Sequence, residues 1–126
     1  MKNHPIQSHE ILCELTPFKQ VADQVLHHHE RFDGKGYPQC LKGEDIPLHS
    51  RIIFICDTFD SMTSQRVYRK PFPHEDALNE LVEFSGTQFD PKLVEKFVVI
   101  MRQAGSIENF LIPLLADTQS TNKKAA

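Results

Sequence analysis

The sequence predicts an all-α domain of about five helices with one long loop between the second and the third. Two observations carry this. Apolar residues recur at three- and four-residue steps in five separate stretches, the period of one helical face. Prolines and glycines gather between those stretches, where they start, stop or turn a chain.

The size suits one domain: 126 residues, 40% hydrophobic and 25% charged. Fourteen basic and 17 acidic side chains give a net charge of −3, which argues against a nucleic-acid binder working by bulk charge. A small anion held by a few placed arginines is compatible with it. The three cysteines, Cys13, Cys40 and Cys56, are odd in number and form no CxxC. A disulfide framework or zinc knuckle is therefore not expected, and a reducing cytoplasm is. The apolar run Ile52–Cys56 is far too short for a bilayer, and the polar N-terminus does not read as a signal peptide.

The first helix opens at Asn3-His4-Pro5, with Pro5 in a first-turn position. Ile6, Ile11, Leu12 and Leu15 form its expected apolar side, and Pro17 ends it. The second is expected from Phe18 to Phe32, with Phe18, Val21, Ala22, Val25, Leu26, His29 and Phe32 at helical steps. On that helix His28 shares the inward face of Val21 and Val25, and His29 lies about 100° away. The two imidazoles could then address different sides of one cavity. A helix C-terminus favoured by protonated histidine is the alternative.

Residues 33–48 form the loop. Gly34 and Gly36 permit unusual backbone angles and close approach to a ligand, and Tyr37-Pro38 enters the turn extended. Residues 50–64 could be a buried strand at Ile52–Cys56, but Phe59 and Met62 continue the pattern at helical steps, which favours a buried helix. Ile53, Asp57, Asp60 and Ser64 then share one face. A buried Asp57 needs a cation, a metal or hydrogen-bond donors. Arg66 and Arg69 are three apart and could face one way, to hold a phosphate or to lie solvated in a basic turn.

A fourth helix over about 74–84 carries Ala77, Leu78, Leu81 and Val82, and Gly86 follows as a cap. Asp90-Pro91 opens the fifth, with Leu93, Val94, Phe97, Val98 and Met101 as its stripe and Gly105 at its end. A short packing segment is expected over Ile107–Leu115, and a disordered tail over residues 117–126.

The run His28-His29-Glu30-Arg31-Phe32-Asp33-Gly34-Lys35-Gly36-Tyr37-Pro38 closely resembles the signature of the HD-GYP family, metal-dependent phosphodiesterases of cyclic di-GMP. Met1-Lys2-Asn3-His4-Pro5 looks like that family's MKxHP segment. Thr63-Ser64-Gln65-Arg66-Val67-Tyr68-Arg69 resembles its TSxRxYR segment, and Leu41–Leu48 and Gly86–Pro91 are also similar. The resemblance implies a partial HD-superfamily helical domain. It extends to about Pro113, so residues 1–116 read as the C-terminal portion of an HD-GYP domain.

By the same resemblance His4, His28, His29 and Asp57 are metal ligands, for iron or manganese. Asp60, Arg66 and Arg69, with Gly36 and Tyr37 of the loop, take the dinucleotide. The implied partners are cyclic di-GMP and, among proteins, a diguanylate cyclase domain or a second copy of the chain. Nucleic acid and membrane are not expected. No His-Asp dyad occurs in the sequence, and Met1 coincides with a methionine internal to the family domain. The expectation is a truncated domain with an incomplete metal site, weak or inactive by itself. The alternative is a non-catalytic module that binds nucleotide or protein in cyclic di-GMP signalling.

Overall fold

The computed structural model describes residues 3–105. Within them are five α-helices: α1 (His4–Glu14), α2 (Lys19–Leu26), α3 (Leu48–Thr63), α4 (His74–Glu83) and α5 (Pro91–Ala104). Short 3-10 turns cover Thr16–Phe18 and Gly43–Asp45. None of these helices is long and apolar enough to cross a membrane. The described residues divide into two units between Val94 and Glu95, a boundary that falls within α5. The packing segment and tail expected beyond residue 105 lie outside the described residues.

Helices α1 and α2 form an antiparallel hairpin. His4 at the start of α1 meets His29 just past the end of α2, and His9 further along α1 meets Asp23 within α2. The expected apolar side of α1 is not covered: Ile6, Ile11 and Leu15 are all exposed. Its spacing is helical, but only Pro5 of this helix is buried.

Helix α2 is shorter than the periodicity suggested. It ends at Leu26, and residues 27–29 form a turn. The run of imidazoles therefore begins where the helical hydrogen-bond ladder stops, and His28 and His29 are turn residues rather than neighbours on a helical face.

Helix α3 resolves the strand-or-helix alternative. Ile55, Phe59 and Met62, spaced by four and three, are its buried stripe. Ile52 and Ile53, which made the segment look like a buried strand, are exposed. Ser50 is fully buried and its Oγ–H donates to the Gln24 carbonyl at 2.8 Å, tying α3 to the end of α2. Helix α4 buries Ala77, Leu78 and Leu81 and leaves Val82 half exposed. Glu75 and Asp76 occupy its first turn, where carboxylates suit the helix dipole.

The turn after α4 uses Gly86 at φ +84, with its N–H donating to the Phe89 carbonyl at 2.8 Å. Asp90 then caps α5, as its place before Pro91 suggested, by accepting the Lys92 N–H at 2.9 Å. The other oxygen of Asp90 accepts Nη1 of Arg51 at 2.5 Å, while Arg51 Nε donates to the Ile46 carbonyl at 3.0 Å. This ion pair is nearly dry, with side chains 12% and 5% exposed. It joins α3, the end of the long loop and the start of α5.

Candidate metal centre

Three imidazoles meet where the N-terminus of α1 approaches the turn after α2. Donor nitrogens of His4, His28 and His29 all lie within 4.8 Å of one another. Nε2 of His29 is 3.0 Å from Nε2 of His4. The His28 and His29 rings are 4.0 Å apart between centroids, and the His4 ring is 5.5 Å from the first and 4.8 Å from the second. The His4–His29 contact is of hydrogen-bond length, with the proton on one of the two nitrogens.

The donor set fits a divalent cation. Nδ1 of His28 lies 2.5 Å from the Val25 carbonyl, which can only accept, so Nδ1 carries a proton and Nε2 is the nitrogen left to face a cation. His29 is pushed down to about 4, mainly by burial, then by the neighbouring His28 and His4; Asp57 opposes the shift. It is neutral at physiological pH and free to donate electrons. A pair of nitrogens 3.0 Å apart matches two ligands each about 2.1 Å from one ion at roughly a right angle.

Asp57 is not in that group. It sits on α3, one turn past Phe54, whose ring is 6.1 Å from His29. Its carboxylate is exposed, contrary to the burial expected of a residue following five apolar ones. Its charge nevertheless reaches His29, where it resists the fall in pKa. Asp60 is also exposed and accepts the Ser64 hydroxyl at 2.9 Å, as the four-residue spacing allows.

The loop is shaped by contacts that the motif does not advertise. Gly36 is buried against the chain that carries the histidines. A Cβ there would lie 2.5 Å from the His29 carbonyl oxygen and 2.6 Å from the Glu30 Cα. Absence of a side chain lets residues 36–37 fold back, so that the Tyr37 ring stacks on His29 at 5.1 Å and 20°. Gly36 therefore bears on the centre through the path of the loop. The Tyr37-Pro38 peptide bond is cis.

Glu30 holds this path. Its side chain is fully buried, and its two oxygens accept the N–H groups of Gln39 at 2.6 Å and Leu41 at 3.0 Å. The carboxylate beside the histidines is thus a structural anchor. No sequence pattern reveals it, because both partners are backbone. His27 is buried too, with Nδ1 at 3.6 Å from Glu30, just beyond hydrogen-bond length. Asp33 is paired with Arg31 through two bonds of 3.1 and 2.8 Å, and it also accepts the Lys35 N–H. The Arg31 guanidinium holds the Asp33 carboxyl below its ordinary range.

The basic segment after α3 forms a turn in which Arg66 and Arg69 pair as an isolated antiparallel bridge. Arg69 donates to the Ser61 carbonyl at 2.6 Å and lies 5.3 Å over the Phe72 ring. Arg66 is exposed. The structure therefore groups His4, His28, His29 and Tyr37, with Asp57 acting at longer range, while Asp60, Arg66 and Arg69 stand on α3 and the turn beyond it.

The family model described as "HD domain" matches residues 1–93. A "Cyclic di-GMP phosphodiesterase" of Thermotoga maritima is 38% identical over 105 residues, covering 82% of this chain and 28% of the relative. A "3'3'-cGAMP-specific phosphodiesterase 2" of Vibrio cholerae is 46% identical over 77 residues, covering 60% of this chain and 15% of the relative. A solved cyclic GMP-AMP specific phosphodiesterase of V. cholerae matches with a TM-score of 0.68 and 31% identity, over 86% of this chain and 24% of that one. The chain thus spans less than a third of the length of each of these relatives.

Proposed function

The chain belongs to the HD domain family, in its HD-GYP branch, and on that premise we propose that it is the C-terminal part of a metal-dependent phosphodiesterase acting on cyclic di-GMP or a related cyclic dinucleotide. The observation that carries this reading is the convergence of His4, His28 and His29, with His29 held neutral. These imidazoles and Asp57 would hold iron or manganese, metals that accept histidine nitrogen and carboxylate oxygen. A bound divalent ion supplies a Lewis acid and positive charge against a phosphodiester.

The chain's own residues do the rest. The Val25 carbonyl holds His28 in one tautomer, and the Tyr37 ring covers one face of His29. Arg66 and Arg69 are the candidates to grip phosphate, since guanidinium binds it bidentately. Arg69 would exchange its bond to Ser61 for the ligand. Asp60 borders the same end of α3. Among the described residues the histidine centre has three imidazoles, with one carboxylate at longer range, so this centre by itself is expected to hold at most one iron or manganese ion and to turn over slowly. We place it in the cytoplasm, where its free thiols would stay reduced. A diguanylate cyclase domain or a second copy of the chain is the protein partner in this reading.

Metal analysis of the purified chain, with cyclic di-GMP turnover measured against added manganese or iron, tests this. The expected result is up to one manganese or iron ion per chain and slow hydrolysis, both reduced in H28A and H29A. Two tightly bound metals with fast turnover would overturn the incomplete site, and no metal binding would overturn the whole reading. The second reading, a non-catalytic nucleotide or protein module, is favoured by the turn tip beside Arg66, where Val67 is 105% and Tyr68 87% exposed. Tight binding of cyclic di-GMP without any hydrolysis would select it.

A further inference from the structure

A second group of metal-ligating side chains lies further along the α1–α2 hairpin and takes no part in the centre described above. His9 and Cys13 are four residues apart on α1, one turn on the same face. Asp23 comes from α2. Nε2 of His9 lies 3.3 Å from Oδ1 of Asp23 and 3.5 Å from Sγ of Cys13; Nδ1 of His9 is 3.9 Å from the same sulfur. His9 is five residues beyond His4, about 7.5 Å along the helix axis.

We propose that His9, Cys13 and Asp23 form a binding site for a borderline-soft divalent cation of the zinc class, distinct from the histidine centre. The chemistry of the set points there. A thiolate and an imidazole on adjacent turns of one helix make a chelate, and a carboxylate from the neighbouring helix adds a hard oxygen. Tetrahedral zinc with bonds of about 2.0 Å to nitrogen and oxygen and about 2.3 Å to sulfur puts its ligands about 3.3 Å (N to O) and about 3.5 Å (N to S) apart. The two separations from His9 Nε2 have those values. The imidazole must turn to aim its lone pair between the partners, and Asp23 must swing toward the thiol. The Asp23 side chain is 76% exposed, so it moves without losing burial. Binding releases the thiol proton to solvent, and water completes the coordination.

The site has a mechanical consequence. Helix α1 is poorly covered, with Ile6, Ile11 and Leu15 exposed. A metal bridging His9 and Cys13 to Asp23 would clamp α1 on α2 and hold His4 against His28 and His29.

Cobalt(II) titration of the full 126-residue chain tests this, because a thiolate-to-cobalt charge-transfer band reports sulfur ligation. One equivalent per chain is expected to raise the band, and the band is expected to persist in the H28A/H29A double variant and in C40S/C56S. It should vanish in C13S, and half-saturation should move to at least tenfold higher cobalt in H9Q and in D23N. Helicity by circular dichroism identifies any variant that fails to fold, and for such a variant cobalt protection of Cys13 from alkylation in the wild-type chain replaces it. No band, a band that survives C13S, or one that disappears in H28A/H29A overturns the proposal. Failure of the histidine centre to bind manganese leaves this outcome unaffected, so the two ideas fail separately.

Discussion

The Glu30 carboxylate accepts one N–H from nine residues along the chain and another from eleven, with its side chain wholly out of water. Removing it leaves two part-buried N–H donors without their acceptor, and hydrogen bonds to a charged group contribute about 1.5–3 kcal/mol each. Glu30→Ala should therefore lower the unfolding free energy by about 3 kcal/mol in urea titration; an unchanged midpoint would contradict the anchor. His29 has a different dependence. Its pKa falls from 6.5 unfolded to about 4 folded, so the folded state binds fewer protons over that window. The stability contribution is complete above about pH 6.5 and is lost as pH falls toward 4. Metal affinity should weaken across the same window, because the proton and the cation compete for one lone pair. In H29Q the stability profile should flatten between pH 6.5 and 4, which thermal melts in a buffer series would record.

At the scale of elements, the Arg51–Asp90 pair ties three segments together. Breaking a buried ion pair from one side costs about 3–5 kcal/mol, and Asp90 also caps α5. Asp90→Ala should thus be among the most destabilising changes away from the core, by about 3 kcal/mol or more, with R51M/D90L closer to the parent. Chemical denaturation of the two variants and the parent checks the order. The element pattern was readable in the sequence because the buried triplet Ile55, Phe59 and Met62 and the Asp90-Pro91 cap are local signals. What escaped was set by partners. Helix α2 stops at Leu26 rather than Phe32, where the His28 and Glu30 side chains take up non-helical contacts with backbone and loop. The apolar faces of α1 and of Ile52–Ile53 have the right spacing and no cover. Periodicity reports which side is apolar, and cannot report whether anything lies against it. Similarly, the histidines and Asp57 could be named from a motif, but the separation of Asp57 from the three imidazoles depends on how α3 crosses the hairpin.

For the whole molecule, a groove of about 350 Å³ between α2 and α3 is lined by Val21, Gln24, Val25, His49, Ile52 and Ile53. With Ile11 and Leu15 also exposed, apolar surface of this kind drives association. Light scattering at micromolar concentration should find dimers or larger species, and Ile53→Lys should shift them toward monomer; a clean wild-type monomer would count against this. The proposed centre requires one divalent ion to be shared by three side chains from α1 and the turn after α2. Free manganese(II), counted by electron paramagnetic resonance during titration of the C13S chain, measures this with the second site removed. Saturable uptake of one ion per chain is expected, lost in a further H29A change and at least tenfold weaker with H4A or H28A. Uptake that is the same in all four proteins would contradict it.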